Sequence, residues 1–100
     1  MALPKSILDI LESLHIASQF SDAHSSLKTI FKDEYEEQAK PVRNAIRGVM
    51  KAGNKSVMGA TLALMEKFAG DEVTTMWIMA SAVDVLLEEK EKNETLYGKS

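Results

Sequence analysis

Residues 72–92 read EVTTMWIMASAVDVLLEEKEK, and this stretch decides the predicted fold. Apolar residues recur in it at helical spacing and form one principal stripe, made of Val73, Met76, Met79, Ala80, Val83, Leu86 and Leu87. Trp77, Ile78 and Val85 lie away from that stripe, so the helix is apolar on two sides. Such a helix is either central in a bundle or also buried against another molecule. The sequence therefore predicts a homodimer or partner surface at Trp77, Ile78 and Val85, unless the N-terminal helix covers the second face.

Residues 55–69 form the preceding predicted helix, whose apolar positions again follow the helical period. Gly70 and Asp71 stand between this helix and the next one. Gly suits the left-handed residue that ends a helix, and an Asp side chain accepts hydrogen bonds from the free N–H groups that begin one. The pair predicts a short connection between two helices.

Residues 48–56, GVMKAGNKS, come close to a phosphate-binding loop. In that loop a Lys directly follows the second Gly and a buried strand precedes the motif. Here Asn54 separates Gly53 from Lys55, and an amphipathic helical pattern precedes them. We interpret the stretch as a helix connection, with Gly53 as the left-handed residue and Asn54 as the N-cap of the next helix.

The helix before that connection is predicted to begin near Asp33, with a capping-box-like start in the acidic residues 33–37. A helix that continued from residue 32 would place Glu34 on its apolar face, where an unpaired carboxylate is costly. The apolar stripe keeps its phase through Pro41, which predicts one helix kinked at that residue. The alternative is a break at Lys40, with Pro41 opening a new helix.

The N-terminal third adds two predicted helices, residues 4–19 and a short one at 22–32, separated by the capping residues Ser21 and Asp22. The sequence thus predicts an all-α fold: a compact bundle of four long helices plus one short helix. Residues 1–93 form its single domain, and residues 94–100, poor in apolar side chains, are predicted to be a flexible tail.

Composition excludes several classes of function. There is no cysteine, which rules out disulfides and thiolate chemistry and is typical of a reducing, cytoplasmic setting. The net charge is −3, so no global positive field attracts duplex DNA or an anionic membrane. No apolar run approaches the roughly 20 residues of a membrane helix, and the N-terminus lacks the features of a signal peptide.

A basic stripe follows the helix of residues 33–52 and is the best candidate ligand site. Its members recur every three or four residues, opposite the apolar stripe: Lys40, Arg43, Arg47, Lys51 and Lys55. Guanidinium groups bind carboxylates and phosphates with paired hydrogen bonds. The stripe predicts an acidic protein partner or a phosphate-bearing small ligand such as a nucleotide. The alternative is an ordinary solvated face.

The sequence gives little support for a catalytic site or a metal site. Glu12 and His15 have the E-x-x-H spacing of di-iron bundles, but such sites need two copies and further carboxylates, and both residues lie off the apolar stripe. His24 beside Asp22 is interpreted as part of a helix start. Asp84 and Glu34 are the carboxylates expected nearest to apolar neighbours. We predict no catalytic residue, no metal ligand and no cofactor.

The sequence therefore favours a non-enzymatic protein-binding module that acts stoichiometrically as a regulator, adaptor or inhibitor. The first alternative is a binder of phosphate compounds on the basic stripe, and the second is a metal-dependent helical-bundle enzyme. Methionines are concentrated in the last three helices, where they suit an adaptable binding surface or an ordinary core: Met50, Met58, Met65, Met76 and Met79.

Overall fold

The computed structural model describes the backbone of residues 5–97 and the side chains of residues 15–92. Every regular element within residues 5–97 is helical, so the predicted all-α class is confirmed. The elements are α1 (Lys5–Phe31), a 3₁₀ turn (Lys32–Glu34), α2 (Tyr35–Gly53), α3 (Val57–Lys67) and α4 (Glu72–Tyr97). The side chain of Glu12, with residues 1–4 and 98–100, lies outside the described residues.

α1 is one continuous helix, so the predicted break at Ser21 and Asp22 is wrong. Both residues are exposed in the middle of the helix, while Phe20, Ala23 and Leu27 are buried at helical spacing. Burial of one unbroken apolar stripe outweighs the local preference of Ser and Asp for helix ends. A single long helix therefore replaces the predicted long and short pair.

The chain turns between α1 and α2 at Lys32, whose φ of 49° is left-handed. The predicted break near Asp33 is confirmed by the 3₁₀ turn there. The predicted capping box is wrong, because Glu34 is the N-cap of α2 and its side chain makes no capping hydrogen bond. α2 runs through Pro41 without interruption, so the alternative break at Lys40 is wrong, and the kink stays a prediction.

The connection between α2 and α3 is the predicted one, but its residues have other roles. Asn54, and not Gly53, is the left-handed residue, with φ 49° and ψ 48°. Asn tolerates this conformation because its short polar side chain can bond locally. Ser56, and not Asn54, caps α3: its hydroxyl accepts the N–H of Gly59 at 3.0 Å.

The connection between α3 and α4 follows the sequence prediction. Gly70 has a φ of 95°, and Asp71 caps the start of α4. Its Oδ1 accepts the backbone N–H of Thr74 at 3.1 Å, and its Oδ2 accepts the hydroxyl of Thr74 at 2.7 Å. These bonds, the hydroxyl one first, lower the pKa of the Asp71 carboxyl.

α4 lies at the centre of the bundle, in contact with α1, α2 and α3. It is antiparallel to α1, because His24 reaches Asp84 while Phe31 packs on Trp77. Its middle turn is fully buried and consists of small side chains, Ala80, Ser81 and Ala82. Three helices can therefore pack closely around α4.

The predicted dimer or partner surface lies mostly inside the protomer. Ile78 and Val85 have exposed fractions of 2% and 0%, so for them the prediction is wrong. The ring of Trp77 packs 5.0 Å from that of Phe31 and 5.6 Å from that of Tyr35. Neighbouring helices of the same chain cover this side of α4, which removes the reason for expecting a homodimer there. The homodimer itself stays a prediction.

The core consists of two adjoining clusters. The larger joins all four helices through Phe20, Ile46, Val57, Ala60, Leu64, Ile78, Ala82 and Val85. The smaller contains Leu27, Tyr35, Ala39 and Ala80. α4 extends to Tyr97, and the division into a domain and a tail at residue 93 stays a prediction. Among the helices of residues 5–97, none has the length and apolar content needed to cross a bilayer.

Two glycines provide a paired test of this backbone. A Cβ added at Gly48, inside α2, or at Gly70, with φ 95°, meets no atom within 4 Å. Gly48→Ala should raise the free energy of unfolding by about 1 kcal/mol, because Ala favours the helix. Gly70→Ala should lower it by about 1 kcal/mol or more, because a left-handed Cβ is strained. Urea denaturation followed by circular dichroism measures both, and shifts of the same sign would contradict the assigned conformations.

Candidate functional site

The basic stripe does not form one open anion site. Lys40, Lys51 and Lys55 are exposed. Arg47 is ion-paired with Glu88 across the interface of α2 and α4. An anionic ligand at Arg47 must therefore compete with a carboxylate of the same chain.

Arg43 is buried, with an exposed fraction of 7%, so its prediction as a surface anion ligand is wrong. Its guanidinium donates to Glu36 and, at 3.1 Å, to Oδ2 of Asp84. Burial by itself lowers the pKa of Arg43, but the hydrogen bonds to Glu36 and Asp84 outweigh it and raise the pKa overall. The helical spacing placed Arg43 on the outer stripe, whereas the residue lies at the edge of the core.

Asp84 is the centre of a polar network that joins three helices. Its Oδ1 bonds to His24 Nε2 of α1 at 2.8 Å. Its Oδ2 accepts the hydroxyl of Tyr35 at 2.7 Å and Nη1 of Arg43 at 3.1 Å, both from α2. The side chain of Asp84 is only 14% exposed, as expected for a carboxylate beside apolar neighbours. The same expectation for Glu34 is wrong, because that residue is exposed.

The sequence does not predict the contact of His24 with Asp84. His24 was interpreted as part of a helix start, but it lies in the middle of α1. Residues 24 and 84 are 60 positions apart, so no local spacing could link them. The only available signal was the apolar pattern shared by residues 23 and 27, which indicates that this part of α1 is buried.

The hydrogen bonds of the network are made between its own side chains. Both carboxylate oxygens of Asp84 are occupied, and in the described part of the chain no hydroxyl donates to His24 as a nucleophile must. Burial, followed by the hydrogen bond to Asp84, raises the pKa of Tyr35 well above its ordinary value. No group of three potential metal ligands occurs among residues 15–92, and the Glu12 side chain lies outside them. The arrangement fixes helix positions.

The principal apolar stripe of α4 is, apart from the fully buried Ala80, the less buried side of that helix. Met76, Met79 and Val83 are half-buried. Leu86 and Leu87 are 40% and 49% exposed. The covered side is the one that carries Ile78 and Val85. The stripe therefore keeps accessible apolar surface between Met76 and Leu87, although Met76, Met79 and Val83 also pack against the core.

This stripe forms the floor of a groove of about 440 Å³. Thr75, Met76 and Met79 contribute the floor. The wall from α3 contributes Met65, and the wall from α1 is more polar, with Gln19, Asp22, Ala23 and Ser26. In the described part of the chain, no Cα atom of α1 comes within 8 Å of one in α3, which leaves the space between the two helices open.

Methionines border this groove and the adjoining core. All five methionines from residue 50 to residue 79 are half-buried, so each has both a packed and an accessible side. Met58 and Met65 pack against the larger core cluster, and Leu62, on the same flank of α3, is 50% exposed. The two interpretations of the methionines, core and adaptable surface, therefore apply to the same residues.

The chain matches no protein family, no curated protein and no solved structure.

Removal of the Asp84 carboxylate should destabilise the protein much more than removal of the Glu88 carboxylate. Asp84→Ala leaves Tyr35, His24 and buried Arg43 without a shared acceptor, and should lower the free energy of unfolding by about 3 kcal/mol. Glu88→Ala removes a partner of Arg47 in an exposed pair and should change it by about 0.5 kcal/mol or less. Chemical denaturation of both variants provides the comparison. Equal losses would show that Asp84 does not organise the bundle.

The raised pKa of Tyr35 predicts a loss of stability in alkaline solution. The folded state holds the phenol proton at a pH where the unfolded state, with the ordinary pKa of 10.0, releases it. Stability should therefore be complete below pH 10 and fall as the pH rises above it. Tyr35→Phe should remove this part of the decline and cost about 1.5 kcal/mol at neutral pH, from the lost hydrogen bond to Asp84. Urea denaturation of the original protein and of Tyr35→Phe between pH 8 and pH 11 tests both expectations. If the free energy of unfolding fell equally in the two proteins above pH 10, the proton of Tyr35 would not be the cause of the decline.

Proposed function

We propose that this protein is a non-enzymatic protein-binding module that acts stoichiometrically as a regulator, adaptor or inhibitor of a partner protein. The observation that carries the proposal is the apolar stripe of α4 left uncovered between α1 and α3. Removal of such a surface from water on binding is favourable by about 25 cal/mol per Å² of apolar area. The partner surface is thus the groove, and not the buried side at Ile78 and Val85.

The chemistry of the groove suits a protein partner better than a small molecule. Small ligands usually bury 70% or more of their surface, roughly, in an enclosed pocket. Here Gln19, Asp22 and Ser26 on one wall are exposed, so the groove is open along its length. The thioethers of Met65, Met76 and Met79 adapt their shape to an apolar contact surface.

The alternatives have less support. Phosphate binding on the basic stripe needs Arg43 and Arg47, which already have carboxylate partners. A metal-dependent enzyme needs more ligands than Glu12 and His15. Nucleophilic catalysis at the Asp84 network needs a hydroxyl that donates to His24, and among the described residues no hydroxyl does so. The cytoplasmic setting belongs to this proposal because the chain has no cysteine.

Site-specific photo-cross-linking tests the proposal. A benzophenone amino acid replaces Leu62, an exposed residue of α3 one turn before Met65 of the groove wall, and in a control protein it replaces Asn44, which is exposed on α2. We expect irradiation in the source cell to give a defined one-to-one adduct from position 62 and none from position 44. Adducts from both positions, or from neither, would count against the proposed role of the groove in binding a cellular partner.

A further inference from the structure

The groove lies where one more helix could pack on α4, between α1 and α3. α4 contacts α1, α2 and α3, and in the described part of the chain α1 and α3 do not meet beside it. Helices pack by laying the side-chain ridges of one into the groove of another. On α4 the groove is lined by Thr75, Met76 and Met79, and the accessible apolar stripe of α4 continues beyond this lining to Leu87. Residues 76–87 span about 16 Å at 1.5 Å per residue, which is three turns of an added helix.

The charges at the groove have one sign. Asp22 is the only ionisable residue among those that line it. Glu72 lies four residues before Met76 and seven before Met79, so it shares their face of α4 at one end of the floor. No Lys or Arg is among the lining residues, and the chain as a whole has a net charge of −3. The wall of α1 therefore favours a cationic side chain on whatever fills the groove.

We infer that the groove binds an amphipathic α-helix of another protein, with the apolar stripe of that helix on α4 and Lys or Arg side chains on its flank beside Asp22. The inference rests on the proposed function and names the chemical class of the partner. Helices of this kind bind in grooves through apolar residues spaced three or four apart.

A helix fits this groove better than an extended peptide. An extended segment leaves its N–H and C=O groups unpaired unless a strand edge accepts them, and residues 5–97 contain no strand. A helix satisfies its own backbone groups, so only its side chains need partners.

A second copy of this chain is a poor occupant. Its own α4 is packed against three helices, so it cannot enter the groove of a neighbour as a separate helix unless its bundle opens. α1, α2 and α3 likewise bury residues against α4. A separate helix from another protein requires no such rearrangement.

Peptide display on the purified full-length protein tests the inference. The probe is a library of unconstrained random 18-residue peptides. We expect selected peptides to carry apolar residues at positions i, i+3 or i+4, and i+7, to gain helical circular dichroism on binding, and to contain more Lys and Arg than Asp and Glu. Extended peptides, peptides without this charge excess, or the absence of any enrichment would overturn the inference.

Two variants and one matched control make the selection specific. Ser26→Trp fills the groove from an exposed position and should weaken a selected peptide at least tenfold. Ser25→Trp is the same change one residue earlier, outside the groove lining, and should leave the affinity unchanged within about twofold. Asp22→Lys should weaken cationic peptides about fivefold, which corresponds to one exposed ion pair. Equal effects at positions 25 and 26, or none at position 22, would contradict the assigned site.

The two proposals fail separately. A cross-link from position 62 to a non-helical segment of a partner would leave the proposed function in place and remove the inference of a helix. If no cross-link formed but helical peptides were selected, and Ser26→Trp abolished their binding, the helix groove would be supported and the proposed cellular role would be removed. Gel filtration over a range of concentrations tests the second copy, and a dimer that Ser26→Trp dissociates would replace the partner helix by that copy.

Discussion

A single carboxylate, that of Asp84, joins α1, α2 and α4, and the relative position of these helices depends on it. Apolar packing is not directional, so it allows neighbouring helices to slide by small steps. Hydrogen bonds from His24, Tyr35 and Arg43 to one acceptor allow a single register. An isolated buried carboxylate is costly, but here both oxygens are bonded and Arg43 compensates the charge.

The central position of α4 follows from its composition and explains the groove. The small residues of its middle turn let three helices approach it, but α3 has 11 residues and α4 has 26. α3 therefore covers only part of the side of α4 that faces away from Asp84. Beside Met76 and Met79, where Met65 of α3 does reach the groove, the surface stays open because α1 and α3 do not meet in the described part of the chain.

The sequence predicted the helical class and the places of all three connections between helices, because turn residues such as Gly70 and Asp71 act locally, but it misassigned the capping residues at the first two connections. It assigned Ile78 and Val85 to a dimer or partner surface although both are buried, because periodicity finds apolar faces but cannot show which neighbour covers each one. Arg43 was misassigned for the same reason: its burial depends on Asp84, 41 residues away. In α1, capping residues in mid-helix were outweighed by distant packing partners.

The rigid and the adaptable parts of α4 lie on different sides of the helix. Asp84 and Met79 are five residues apart, which places them about 140° apart around the axis. A ligand in the groove can therefore contact the methionines while the bonds of Asp84 hold α1 and α4 in place. Because the α1 wall and the α4 floor of the groove are fixed before binding, the ordering cost of association falls mainly on the partner and on a few thioether side chains. Affinity at the groove should then depend more on how well the partner helix is preformed than on rearrangement of this protein.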